Sequence, residues 1–160
     1  MKADFTTISQ ESKVWIYQAD RFFTAEEAAY IETKLNWFVE NWQSHGQPVK
    51  AAGKLLHNLF IVLAADDSES PSGCSIDSSV HFLKDLEQEL NINLFNRSTI
   101  ALFSDNQINF VNLNKIKEAI SSGKITKETL FFDNLVKNLS SFQKGWLAPF
   151  GSTWTVRYFG

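Results

Sequence analysis

The apolar positions of this chain change their period along its length, and each change marks an element. Val14 to Ala19 (VWIYQA) concentrates β-branched and aromatic residues, which predicts a first strand. Thr24-Ala25-Glu26-Glu27 reads as a capping box, with threonine at the cap and glutamate three residues on. Behind it Ala28, Ile31, Leu35, Phe38, Val39 and Trp42 share one helical face. This helix is expected to stop near His45-Gly46, with Pro48 just beyond. The stretch from Leu55 to Ala65 contains the unbroken run Leu59-Phe60-Ile61-Val62-Leu63-Ala64-Ala65. Apolarity without alternation predicts a central strand covered on both faces. An acidic, serine-rich loop over 66–72 leads to Gly73. A second helix is predicted over about Ser75 to Leu90, with Ile76, Val80, Leu83, Leu86, Glu87 and Leu90 at core spacing.

The second half of the chain is less regular. Thr99 to Phe103 and Ile108 to Val111 predict a hairpin around Asp105-Asn106. A short helix over about Asn114 to Ser121 ends at Gly123, and Leu130-Phe131-Phe132 reads as a strand. Another short helix, over about Ser140 to Lys144, stops at Gly145, and Trp154 to Phe159 fits strand or helix equally. The order β-α-β-α-β-β-α plus an irregular C-terminal segment predicts an α/β (or α+β) fold. Residues 1–12 read as a loose, flexible tail, and residues 13–160 as a single globular domain on a mixed β-sheet. Early alternation of strand and helix predicts a parallel pair joined by a right-handed crossover, to which the hairpin adds antiparallel strands. A thioredoxin-like core has this order of elements, but its pair of cysteines three apart is missing here.

Composition narrows the function classes. The chain has 160 residues, 44% of them apolar, enough for a substantial core. A formal charge of −3, a pI near 5.6 and only three arginines (Arg21, Arg97 and Arg157) argue against nucleic-acid binding, which needs clustered positive charge. No apolar stretch is long enough to span a bilayer, and Met1 to Ser12 has no signal-like apolar region. The lone cysteine allows neither an internal disulfide nor a multi-cysteine metal site. A cytoplasmic location without membrane insertion is the expectation.

That cysteine, Cys74, stands where the loop opens into the second helix, and a helix N-terminus favours thiolate. Cys74, Asp77 and His81 lie together on the helical wheel, opposite a core face centred on Ile76, Leu83 and Leu90. Asp77 and His81, four apart, are spaced so that they could pair. Cys74 and His81 are seven apart, roughly 10 Å along the axis. Proton transfer needs about 3 Å, so a base would have to come from His45 or His57. The plainer reading is a packed cysteine beside a helix cap supplied by Ser75 or Asp77. The backbone around Ser72, Gly73 and Ser75, at the end of the central strand, is a candidate anion site. Asp66 and Asp67 at the same end would repel an anion unless a cation intervened. His45 is a candidate base, or simply a last-turn histidine favoured by the helix dipole. Three scattered histidines predict no zinc site, and no metal or cofactor is expected.

Tyr30 and Trp37, seven apart, lie opposite the core face of the first helix among Glu26, Lys34 and Asn41. They are candidates for an interaction surface, either for a protein partner or for a second copy of the chain. The competing expectation is that Trp146, Phe150, Trp154 and Phe159 fold over them.

VWIYQADRFFT (14–24), WQSHGQPVKA (42–51), SGCSIDSSV (72–80) and TLFFDNLV (129–136) together resemble a family of short, uncharacterised bacterial proteins often labelled "ABC transporter ATPase". The resemblance covers nearly the whole chain after residue 12, and it implies no catalytic residues. The ATPase label conflicts with the residues. Phosphate binding by such enzymes needs GxxxxGK[ST], whereas Gly123-Lys124 is followed by Ile125 and has no glycine five residues earlier. Leu139-Ser140-Ser141-Phe142-Gln143 departs from an LSGGQ signature at the glycines, and GxGxxG is absent. The chain therefore reads as a non-enzymatic cytosolic binding or interaction module. The alternative is a small enzyme or redox sensor using Cys74.

Overall fold

The computed structural model describes residues 1–66 and 73–160, with side chains of the second helix described from Ile76 onward. The fold is α+β. In chain order the elements begin with β1 (Lys13–Gln18), α1 (Ala25–Asn41), β2 (Gln43–Ser44), β3 (Gln47–Pro48), β4 (Lys50–Leu56), β5 (Phe60–Asp66) and α2 (Gly73–Leu90). They continue with β6 (Thr99–Ser104), β7 (Gln107–Asn112), a 3₁₀ turn at Leu113–Lys115, α3 (Ile116–Ser121), β8 (Leu130–Phe132), α4 (Leu139–Gly145) and β9 (Leu147–Pro149). Two 3₁₀ segments, Phe150–Ser152 and Trp154–Phe159, end the chain. By contact density the chain falls into two compact units. The first comprises 1–96 and 137–142, the second 97–136 and 143–160.

The first unit is built on a sheet of order β1-β5-β4. As its unbroken apolarity implied, β5 is the central strand, and Phe60 to Ala65 are buried along it. Its pairing with β1 is antiparallel, Lys13 opposite Ala65 and Gln18 opposite Phe60. The expected parallel pair and right-handed crossover, the mixed sheet and the thioredoxin-like order are thus corrected. The cause is β4, which the sequence hid. Lys50-Ala51-Ala52-Gly53 shows no period-two alternation, yet it pairs antiparallel with β5 through a tight reversal at His57-Asn58-Leu59. His57 and Asn58 both adopt left-handed backbone, at φ 55° and 50°. Gly53 is needed because α1 crosses there: a Cβ at this position would lie 2.8 Å from Leu35 Cγ and 3.1 Å from Val39 Cγ1.

The first twelve residues, expected as a loose tail, are tied to the edge of β4. The Met1 ammonium donates to Val49 O at 2.8 Å and Val39 O at 3.2 Å. Ala51 N donates to Met1 O at 3.0 Å, Ala3 N donates to Ala51 O at 2.6 Å, and Ile8 is buried. An unpaired strand edge is thereby covered.

Helix α1 starts as its sequence dictated. Thr24 Oγ1 accepts from Glu27 N at 3.1 Å, and Glu27 Oε1 accepts from Thr24 N at 2.9 Å. Ile31, Leu35, Phe38 and Val39 form the buried face, and Trp42 follows as an extended cap residue. The helix stops before the expected His45-Gly46. That pair is instead the turn of the β2–β3 hairpin, with φ of 53° and 77°.

The second unit carries an antiparallel sheet of order β7-β6-β8-β9. The hairpin turns at Asp105-Asn106 as predicted, both residues left-handed at φ 52° and 58°. Helix α3 ends at Gly123, whose φ of 80° lets its N–H reach Ile120 O at 3.1 Å while Lys124 N reaches Ala119 O at 2.9 Å. Ile100, Leu102, Ile116, Ile125, Phe131 and Phe150 form the core, with Trp154, Tyr158 and Phe159 packed against it. The ambiguous C-terminal stretch is 3₁₀ helix, anchored by Thr155 Oγ1 donating to Phe150 O at 2.6 Å.

Candidate functional site

The candidate site is a groove between α1 and α2, within the first unit. Three aromatic contacts adjoin it through Phe82. Phe38, on the buried face of α1, stacks on Phe82 of α2 with centroids 4.5 Å apart and planes 8° from parallel. Phe38 also packs against Trp42 at 4.9 Å, and Trp42 lies 6.1 Å from Trp15 on β1. The stack joins the two helices, and the groove, which Phe82 helps to line, has a volume of about 390 Å³. Thr33, Lys34 and Trp37 line one wall; Phe82, Asp85, Leu86 and Glu89 line the other. On each helix these residues recur at spacings of three and four, so each wall is one continuous stripe.

Trp37 is 66% exposed, the most exposed of the large apolar side chains described, and Tyr30 is 38% exposed. The expectation that the C-terminal aromatics cover this pair is corrected. Phe150 is fully buried against Phe131, Trp154 meets Phe131 edge-on, and Trp146 packs on Phe132, all within the second unit. Their polar handles are committed there as well. Trp146 Nε1 donates to Asn134 Oδ1 at 3.0 Å and Trp154 Nε1 donates to Asp133 Oδ1 at 3.1 Å.

The polar groups of the groove are engaged by neighbours. The Tyr30 hydroxyl donates to Glu89 Oε2, and this hydrogen bond, with burial and the carboxylate charge, holds the phenol above its usual range. Lys34 Nζ lies 5.5 Å from the Tyr30 ring centroid, a cation–π contact. Thr33 Oγ1 donates to Ala29 O at 3.0 Å, and Asp85 pairs with His81.

The other sequence candidates are dispersed. Ser72 and Asp67 lie outside the described residues; Gly73, Cys74 and Ser75 open α2, and the side chains of Cys74 and Ser75 lie outside the described ones. Asp66 ends β5, in register opposite Lys50. Asp77 is exposed on α2. The partner of His81 is Asp85, with Nε2–Oδ2 at 3.7 Å, in place of Asp77. Ile76, expected in the core, is 38% exposed, whereas Ser79 is fully buried and donates to Ile76 O at 2.7 Å. Glu87, the one polar residue at core spacing, accepts from Leu94 N at 2.7 Å. His45 sits at an exposed hairpin tip, and His57 in the β4–β5 turn beside Phe60. Among the described residues, no three His, Cys, Asp or Glu side chains are grouped to hold a metal ion. No described helix is long and apolar enough to cross a membrane.

Of the residues that line the groove, the sequence singles out Trp37 as an interaction candidate and none on α2. The available signal was Phe82, an aromatic displaced from the core stripe and followed at helical spacing by Asp85, Leu86 and Glu89. No family model, curated protein or solved structure matches the chain.

Proposed function

We propose that this protein is a non-enzymatic cytoplasmic binding module whose binding face is the α1–α2 groove. The observation that carries this reading is the exposure of Trp37, 66% solvent-accessible beside a preformed cleft. A large aromatic left in water costs hydrophobic free energy, and Trp is enriched among the residues that dominate binding interfaces. The engaged polar groups support binding over chemistry. Thr33 is hydrogen-bonded to the backbone, Glu89 to Tyr30, and Asp85 is paired with His81. A side chain already held by a hydrogen bond loses less entropy on binding.

The test is an NMR titration of the full chain with a neutral, a cationic and an anionic aromatic fragment: indole, phenethylammonium and phenylacetate. At least one fragment is expected to shift the Trp37 indole N–H together with Phe82 and Leu86, and Trp37→Ala should abolish the Phe82 and Leu86 shifts. No response at the groove from any fragment would overturn the reading.

A further inference from the structure

We infer that the groove receives an amphipathic helical segment of another protein, one that carries lysine or arginine beside its apolar face; this rests on the binding reading above. Charge is the first argument. Helices α1 and α2 each carry four carboxylates and one lysine, a net −6 across the pair, against −3 for the whole chain. Arg21 offsets one of these, gripping Glu27 at 2.7 and 2.8 Å. The negative charge of the protein is therefore concentrated on the helices that form the groove. Two of the carboxylates, Asp85 and Glu89, line it directly, and the single lysine on its walls, Lys34, lies over the Tyr30 ring. Such a surface attracts a cationic partner and repels an anionic one.

Shape is the second argument. The walls are two helical stripes, Thr33–Trp37 and Phe82–Leu86–Glu89, with an aromatic ring on each. A third helix presents apolar anchors at spacings of three, four and seven, which such a groove accepts. Its flanking lysines or arginines then meet Asp85 and Glu89, while Trp37 packs along their methylene stems. The cleft volume of about 390 Å³ is near the lower limit for small-molecule pockets and suits side-chain anchors. A second copy docking through this same face would set one acidic surface against another, which disfavours self-association here.

The experiment uses the full chain and three 18-residue peptides: a helical-period Leu/Lys sequence, its Leu/Glu counterpart, and a scramble of the Leu/Lys composition. Calorimetric titration at 0.15 M salt is expected to show the patterned Leu/Lys peptide binding at least tenfold more tightly than either of the others. Trp37→Ala and Asp85→Lys, each checked for folding by circular dichroism, should each weaken it at least tenfold. Equal binding of the Leu/Glu peptide, or unchanged binding by Trp37→Ala, would overturn the inference. So would a Trp37-dependent dimer in sedimentation. If indole shifts the groove resonances but the Leu/Lys peptide does not bind, the basic-helix inference fails and the binding reading stands. Silence from every fragment and peptide removes both.

Discussion

Phe38 and Phe82 lie face to face, 4.5 Å between centroids and 8° from parallel, and through them α1 and α2 are joined. Offset aromatic pairs contribute about 0.5–1.5 kcal/mol beyond the area they bury. Phe38 is buried and Phe82 partly so, and Phe82 both links the helices and lines the groove. Phe82→Ala is expected to destabilise the first unit by about 2–3 kcal/mol, with Phe82→Leu costing about half as much. Urea unfolding followed by circular dichroism measures both. Equal effects of the two substitutions would show that the stacking geometry contributes nothing beyond apolar bulk.

Trp37 presents the opposite case. Its side chain is mostly in water, so Trp37→Ala should change stability by no more than about 0.5 kcal/mol while removing groove binding. Paired unfolding and titration curves test this. A loss of several kcal/mol would place Trp37 among the packing residues.

Gly53 marks the closest approach of α1 to β4. A methyl group there meets Leu35 Cγ at 2.8 Å, and that branch point cannot swing away as a side-chain tip can. Gly53→Ala should therefore cost about 1–3 kcal/mol. In a Leu35→Ala background the same substitution should cost much less, because the clashing atom is gone. A double-mutant cycle with no coupling would mean that backbone effects, not the clash, set the cost.

Glu27 carries a pH signature. The Arg21 guanidinium, followed by the Thr24 N–H, lowers its carboxyl from the usual 4.5 to about 2. A depressed folded-state pKa contributes stability that is fully present above about pH 4.5 and is lost as the pH falls toward 2. The stability difference between wild type and Glu27→Gln should accordingly shrink over that window. Unfolding curves at pH 7, 4 and 2 give the comparison, together with a carbon-detected NMR titration of the Glu27 carboxyl. A difference that stays constant with pH would refute the role of the charge.

Many elements were legible because their signals lie within a few residues. The capping box at Thr24–Glu27, the turn at Asp105-Asn106 and the stop at Gly123 each depend on local backbone chemistry. Strand β4 was not legible. Ala51, Ala52 and Gly53 are small because α1 presses on them, and small residues carry little strand signal. At the site, Tyr30 and Trp37 could be read as off-core aromatics, but their exposure could not, since it depends on contacts that no local pattern encodes. The His81 pairing with Asp85 was equally undecided, because a histidine on a helix has neighbours one turn away in both directions.

By itself the sequence determined the start of α1, the turn at Asp105-Asn106 and the burial of β5, all matters of period and backbone preference over short spans. The tertiary structure alone decided that β1 and β5 run antiparallel, that β4 pairs with β5, and that Trp37 remains in water. Strand direction and the covering of an apolar face depend on contacts between residues far apart in the chain, and no local pattern encodes which partner arrives.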